Sequence, residues 1–367
     1  MVLHAFDDFA IHQTPEPLTH VGTSSPNAYD RYFFNGFDPT GELFFAAAFG
    51  LYPNREVIDG AFSVIRHGVQ HNVRASGRMP GDRSTIVGPI RVEVIEPMRR
   101  HRVIVVDGHG MEADLEWSMI SPAIEEPRFT WAIDGRVILD YTRLTQFGRW
   151  SGTISIDGDE IEVGATTVNG VRDRSWGVRP VGARQAGPAR VPQFYWIWTP
   201  TVFDDVCTHL ALNQHADGRP WHQSGAVVPR IGPDADPLDP AGIQRSLAAK
   251  AWPRWAPGTR WIEAASVGLE RWEAEPIVVD YEPLVRFQMS GIGYTHPEWG
   301  HGHWRGEADS TRDEIVLAEA NPGDPTMVHV QTLCRATWGD RVGTGVVEQL
   351  VIGPHEPTGL TGIVDGA

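Results

Sequence analysis

The sequence predicts an all-β protein of two antiparallel barrel-like or sandwich-like domains packed side by side. Three observations lead there. At 367 residues the chain exceeds what one hydrophobic core usually organises, so two domains are expected. Its 39 glycines and 28 prolines interrupt the sequence too often for long helices. Between the interruptions lie short β-branched or alternating runs, the pattern of a sandwich or barrel.

Those runs are Ile90–Ile95, His101–Val106, Ala113–Ile120, Gly152–Ile156, Glu160–Val163, Phe194–Thr199, Asp205–Gln214, Ile277–Tyr281, Val285–Ile292, Met327–Ala336 and Thr344–Ile352. Asp38-Pro39-Thr40-Gly41, Asp134-Gly135, Asp157-Gly158 and Asp217-Gly218 have turn chemistry between strands, and Gly152–Val163 reads as one hairpin. Ala241–Trp252, which runs into Pro253, is the best helix candidate. Pro229–Gly242 reads as a long surface loop. A break near Gln146–Gly152 divides the chain into an N-terminal β domain, 1–148, and a C-terminal β domain, 149–367. Each half ends its strands with a Gly-rich turn containing Arg and Trp, an echo too weak to count as a repeat.

Composition narrows the partners. Hydrophobic residues are 41% and charged residues 21%, the balance of a chain with a real core. The net charge of −16 argues against nucleic acid and anionic membranes, which attract Lys/Arg surfaces. No run approaches a membrane span, and the start MVLHAFDDFAIHQ lacks the pattern of a secretion signal. Two cysteines, Cys207 and Cys334, make neither a disulfide framework nor a thiolate zinc site, although one bridge stays open. A cytoplasmic location is expected. Of 14 tryptophans, ten lie from Trp196 onward. Clusters of Trp suit cores and apolar pockets alike.

The densest chemistry is Gly170-Val171-Arg172-Asp173-Arg174-Ser175-Trp176-Gly177-Val178-Arg179-Pro180, read as a turn that leads into Phe194-Tyr195-Trp196-Ile197-Trp198. Asp173-Arg174-Ser175-Trp176-Gly177 followed by an aromatic strand resembles the Asp-His-x-Trp-Gly hallmark of one lipocalin-like family. That family includes carotenoid 1,2-hydratase (hydroxyneurosporene synthase), the AttH-type proteins and the fungal lipocalin-like Diels–Alderases. Thr145–Gly152 and Trp299-Gly300-His301-Gly302 also look like segments of its bacterial branch. The resemblance implies two calycin-like barrels with a hydrophobic ligand near their junction. Asp173 and Trp176 match the hallmark. Arg174 stands at its His position, where a guanidinium cannot shuttle a proton near neutral pH.

Hydrating an alkene or dehydrating a tertiary alcohol needs no cofactor. It needs a protonated carboxylic acid, aromatic faces and a second group for water. Period-two alternation puts Asp205, Cys207, His209 and Ala211 on one strand face, where Asp205 and His209, about 13 Å apart, could flank a substrate in a lumen. Alternatively that face meets water and the aliphatic face is core. Glu348 shares a face with Val346, Leu350 and Ile352, a setting that raises a carboxylate's pKa, or it forms a structural bridge. Asp173 is a proton donor or a carboxylate pinned by Arg172, Arg174 or Arg179, and so much positive charge would lower its pKa. Arg174, Trp176, Tyr195, Trp196, Trp198, Trp299 and Trp304 are the expected ligand-binding side chains. His301 and His303 would share a strand face, but without carboxylate partners they favour a loop over a metal site, and no metal is expected.

The expected function is therefore a cofactor-independent hydro-lyase or isomerase acting on a terpenoid-like molecule. The alternative is a non-catalytic carrier of a lipid or hydrophobic metabolite, which Arg174 favours. A third reading is a pericyclase-type pocket.

Overall fold

The computed structural model describes residues 3–182 and 192–366. They form antiparallel strands joined by turns and 3-10 turns of three or four residues, and none of these helices is long and apolar enough to cross a membrane.

The first sheet has 14 strands. Its main path runs Ala308–Val316, Val69–Arg78, Val57–Arg66, Phe44–Tyr52, Ala28–Phe37, Asn169–Val178, Arg136–Ile156, Met111–Met119, Arg100–Gly108, Ile90–Glu96 and Ile86–Val87. The sheet curls until its ends approach, and a Cβ at Gly60 would stand 2.9 Å from Val87. The enclosed face carries Phe34, Phe45, Phe62, Leu115, Trp117 and Trp150. Gly36, Gly170 and Gly148 lie side by side across three strands and face the same interior. The rings of Phe45, Trp150 and Trp117 lie flat against them, where a Cβ would come within 2.1–2.2 Å of ring atoms.

The second sheet has ten strands, with main path Gln244–Arg245, Pro220–Pro229, Val206–Gln214, Phe194–Trp198, Arg341–Ile352, His329–Trp338, Ala274–Gln288, Ile262–Arg271 and Ala248–Trp255. Its ends are tied by Ser246 N–H to Gly225 O and Leu247 N–H to Glu270 O, both 2.8 Å. Tyr195, Leu210, Leu212, Val267, Tyr281 and Val347 fill it. By sheet membership the chain changes over between Val178 and Phe194, and Ala308–Val316 returns to the edge of the first sheet.

The outer faces of the two sheets meet in a third cluster. Phe33, Phe37, Phe44, Phe129 and Val171 come from one side, and Trp196, Trp198, Phe287, Leu333 and Val346 from the other. Strand alternation produces this arrangement: Phe34 points into the first barrel while Phe33 points to the junction, and Ile197 points into the second while Trp196 and Trp198 point back.

Two local expectations are corrected. Ala241–Trp252 is not a helix: Gln244–Arg245 and Ala248–Trp255 are strands. The alanines had suggested helix, but Ala249 and Trp255 are buried while Lys250, Trp252 and Arg254 are exposed, which is period two. Pro253 is tolerated because this is an edge strand. The Arg–Asp–Trp segment is the strand Asn169–Val178, not a turn. Cys207 and Cys334 are free and buried.

Candidate active site

Because the motif is a strand, its side chains separate. Val171, Asp173 and Ser175 share the junction face, while Arg172, Arg174 and Trp176 take the other. Arg172 is buried under the first barrel, donating to Gln146 Oε1 at 2.7 Å and lying 5.1 Å from the Trp117 ring. Arg174 pairs with Asp30 and lies 4.1 Å from the Tyr32 ring. Trp176 is exposed. Asp173 is therefore not pinned by its neighbouring arginines.

Among the described residues Asp173 makes no hydrogen bond. Asp173 is half-buried. Burial pushes its pKa up from 3.8 to about 6; Glu348 and Glu126 push the same way, against Arg143 and Arg31. This reverses the lowered pKa expected from sequence. Tyr141 and Tyr294 combine partial surface with the same region.

Glu348 is the counterpart. From the strand Arg341–Ile352 it faces the junction with Val346 and Leu350. It accepts from Trp196 Nε1 at 2.9 Å, His329 Nε2 at 2.9 Å and Gln331 Nε2 at 2.6 Å. Burial alone would raise its pKa, as the sequence suggested, but these donors outweigh burial and hold it below the usual value. Asn35, from the first sheet, donates to Gln331 Oε1 at 3.1 Å and accepts from Val171 N–H at 2.9 Å. The Glu348 carboxylate is thus fixed by a chain of hydrogen bonds that crosses the junction.

A second carboxylate the sequence did not single out, Glu126, is fully buried. It holds Arg143 at 2.8 and 2.6 Å and accepts from Thr145 at 2.7 Å. Burial pushes its pKa up, yet Arg143 holds it well below the usual range. The guanidinium packs against Phe129, Trp196 and Trp198 at 4.9, 4.7 and 5.7 Å. His209 sits beside this pair. Its Nε2 lies 3.2 Å from the Trp198 indole Nε1 and 3.5 Å from Glu126 Oε1. His209 is buried, not facing water.

A third group adjoins Asp173. Arg31 and Arg179 lie 5.0 and 5.8 Å from the Tyr294 ring centre, and Arg179 lies 4.6 Å from that of Tyr29. His301 and His329 meet the same Tyr294 ring edge-on at 4.3 and 4.5 Å. His301 Nε2 bonds Ile292 O at 3.0 Å and Nδ1 takes the Arg179 guanidinium at 3.3 Å, so the ring is neutral. Burial, then Arg31 and Arg179, lower its pKa well below 6.5. Asp59 accepts from Tyr52 at 3.1 Å and Gly302 N–H at 2.7 Å. A cavity of about 10 Å³ lies between Asp59, Ser76, Trp299 and His301, room for one water.

The remaining expected residues do not join. Asp205 precedes its strand, is exposed, and pairs with Arg341 at 2.9 Å, which lowers its pKa. It does not face a lumen with His209. Tyr195 faces the second barrel and stacks on His355 at 4.0 Å. Trp304 is exposed, with Arg78 at 5.5 Å. His301 lies in a turn and His303 in the loop after it, neither on a strand. Among the described residues no group of three or more His, Cys, Asp or Glu could hold a metal ion. Much of the junction, where a hydrophobic ligand was expected, is solid side-chain packing. Asp173, Tyr141 and Tyr294 are half-buried there.

Two curled antiparallel sheets joined face to face define a lipocalin-like two-barrel protein. The chain belongs to the family of unknown function DUF8625, which it matches over residues 3–361. Comparison with curated protein sequences finds no match. Among solved structures, a putative AttH from Nitrosomonas europaea aligns over 88% of this chain and 92% of its own, at 14% identity and a TM-score of 0.51. Kievitone hydratase from Nectria haematococca aligns over 90% and 93%, at 10% identity and a TM-score of 0.54. At these identities the likeness is one of fold.

Proposed function

We propose that this protein is a cofactor-independent lyase or isomerase, a hydratase or dehydratase type of enzyme, acting on a hydrophobic, terpenoid-like small molecule at the junction of its two sheets. One observation carries the reading. Two carboxylates in one region have their pKa values pushed apart, Asp173 upward to about 6 and Glu348 downward. Such a split assigns an acid and a base. Asp173, with no partner of its own, delivers a proton to an alkene carbon. The rings of Trp196 and Tyr294 stabilise the developing cation, and Glu348, kept ionised, takes a proton from the attacking water. Dehydration is the same path reversed.

Arg174 does not weigh against this chemistry, because its side chain lies on the opposite strand face from Asp173. The test is incubation with a panel of terpenoid alkenes and tertiary alcohols in heavy water, read by mass spectrometry. Deuterium on carbon with the wild type, and at least about a hundredfold less with Asp173→Asn, supports the reading. Saturable binding without any product from the panel would sink it in favour of a carrier.

A further inference from the structure

Arg31 is 1% exposed, yet none of its three guanidinium nitrogens has a protein acceptor. The other deeply buried arginines show how unusual this is. Arg143 has the Glu126 carboxylate. Arg172 has Gln146. Arg260, also 1% exposed, donates to the carbonyls of Asp365, Gly353 and Gly362 at 2.7–2.8 Å. A buried guanidinium with no acceptor costs several kcal/mol and persists only where something compensates it.

More unused donors surround it. Arg179 Nε is buried and unpartnered as well, and the buried Tyr29 hydroxyl has only the Ser175 side chain beside it. Tyr29 and Arg31 share a strand face, Arg179 lies 4.6 Å from the Tyr29 ring, and both arginines lie within 6 Å of the Tyr294 ring centre, at 5.0 and 5.8 Å. Asp59 is the nearby carboxylate, but it takes its hydrogen bonds from Tyr52 and Gly302 rather than from Arg31. His301 cannot accept from Arg31, since its ring nitrogens serve Ile292 and Arg179. The two cations beside Tyr294, Arg31 and Arg179, thus both keep guanidinium N–H groups without a protein acceptor.

We propose that Arg31, Arg179 and Tyr29 form an oxyanion subsite, and that the substrate of the Asp173 site is an apolar molecule bearing one acidic oxygen group, a carboxylate or an enolate. This rests on the proposed function for the neighbouring chemistry, and it adds what orients the molecule. A charge-assisted pair would hold the acidic end against Arg31 while the apolar body lies toward Trp196 and Asp173.

The test uses two fluorescent dyes with the same ring system on the full chain: 8-anilinonaphthalene-1-sulfonate, which is anionic, and N-phenyl-1-naphthylamine, which is neutral. The wild type is expected to bind the anion at least about tenfold more tightly, and benzoate but not benzamide should displace it. Arg31→Met should erase that preference and leave the neutral dye's affinity within about twofold. Equal binding of both dyes by the wild type, or a preference that survives in Arg31→Met, overturns the subsite while leaving the deuterium test of Asp173 intact. Failure of both dyes to bind overturns the subsite and the binding of an apolar molecule at the junction together. Should Arg31→Met not fold, the benzoate and benzamide displacement on the unaltered chain decides.

Discussion

Gln331 donates to Glu348 Oε2 at 2.6 Å while its own carbonyl accepts from Asn35 at 3.1 Å, so one amide joins the first sheet to a carboxylate of the second. Its orientation is set, because Asn35 can offer only its amide N–H once Asn35 Oδ1 holds Val171 N–H. Gln331→Leu keeps the volume but removes a donor from Glu348 and an acceptor from Asn35. Stability should fall by roughly 2 kcal/mol, measured by denaturant unfolding. With one fewer donor the Glu348 pKa should rise, moving the acid limb of the rate profile to higher pH. A stability loss without that movement would make Gln331 a purely structural bridge.

Asp173 makes a stability prediction with a definite sign. Its pKa is 3.8 in an unfolded chain and about 6 here. Between those values the unfolded chain gives up a proton that the folded chain keeps, so stability declines as pH rises from 3.8 to about 6 and the loss is constant above. Buried histidines act in the opposite sense. Burial pulls His101 to about 3 and His222 and His355 to about 4, so each favours the fold above 6.5 and that stability is lost as pH falls toward those values. The difference between Asp173→Asn and wild type cancels the histidines. It should be near zero at pH 3.5 and favour the variant by up to roughly 3 kcal/mol at pH 7. Parallel melting curves at every pH would refute the raised pKa.

How legible this was depends on what lies on each side of a strand. Met111–Met119 alternates buried and exposed positions, so its period announced a strand. Phe44–Tyr52 is buried at every position, and with its neighbours Ala28–Phe37, Val57–Arg66 and Val69–Arg78 it has a core on both faces. No alternation survives there, and these strands were not found by pattern. Asp173 and Glu348 were legible because a motif marks one and an apolar strand face marks the other. Arg31, Glu126 and Tyr294 carry no local signal, for their meaning comes from docking strands far apart in sequence. Tryptophan count misled for the same reason: Trp196 and Trp198 are junction core, whereas Trp176 and Trp304 face solvent.

The Glu126–Arg143 pair tests whether that part of the junction is structural. Removing one partner leaves the other charge buried. Glu126→Gln and Arg143→Met should each lose about 3–5 kcal/mol of stability. The double variant should recover part of that loss, giving a coupling energy of about 1 kcal/mol or more in the cycle. Additive losses would mean that Phe129, Trp196 and Trp198 hold Arg143 without help from the carboxylate.

Gly170 connects the first barrel's interior to the site strand. It lies beside Gly36 and Gly148, and a Cβ there would stand 2.2 Å from Trp150 Nε1 and 2.4 Å from Asn35 O. Those two atoms share a 2.8 Å hydrogen bond, so the methyl group would press on a bond between them. A backbone carbonyl in a five-strand neighbourhood cannot swing aside, unlike the end of a flexible side chain. Gly170→Ala should therefore cost about 3 kcal/mol or more, well beyond the ordinary range for an added methyl on a strand. Because Asn35 also positions Gln331 and Asp173 lies three residues along the same strand, the surviving fold should show a disturbed Glu348 network, visible as a shifted His329 imidazole resonance. A variant as stable as wild type would mean that the Trp150 ring can leave its place against the glycines.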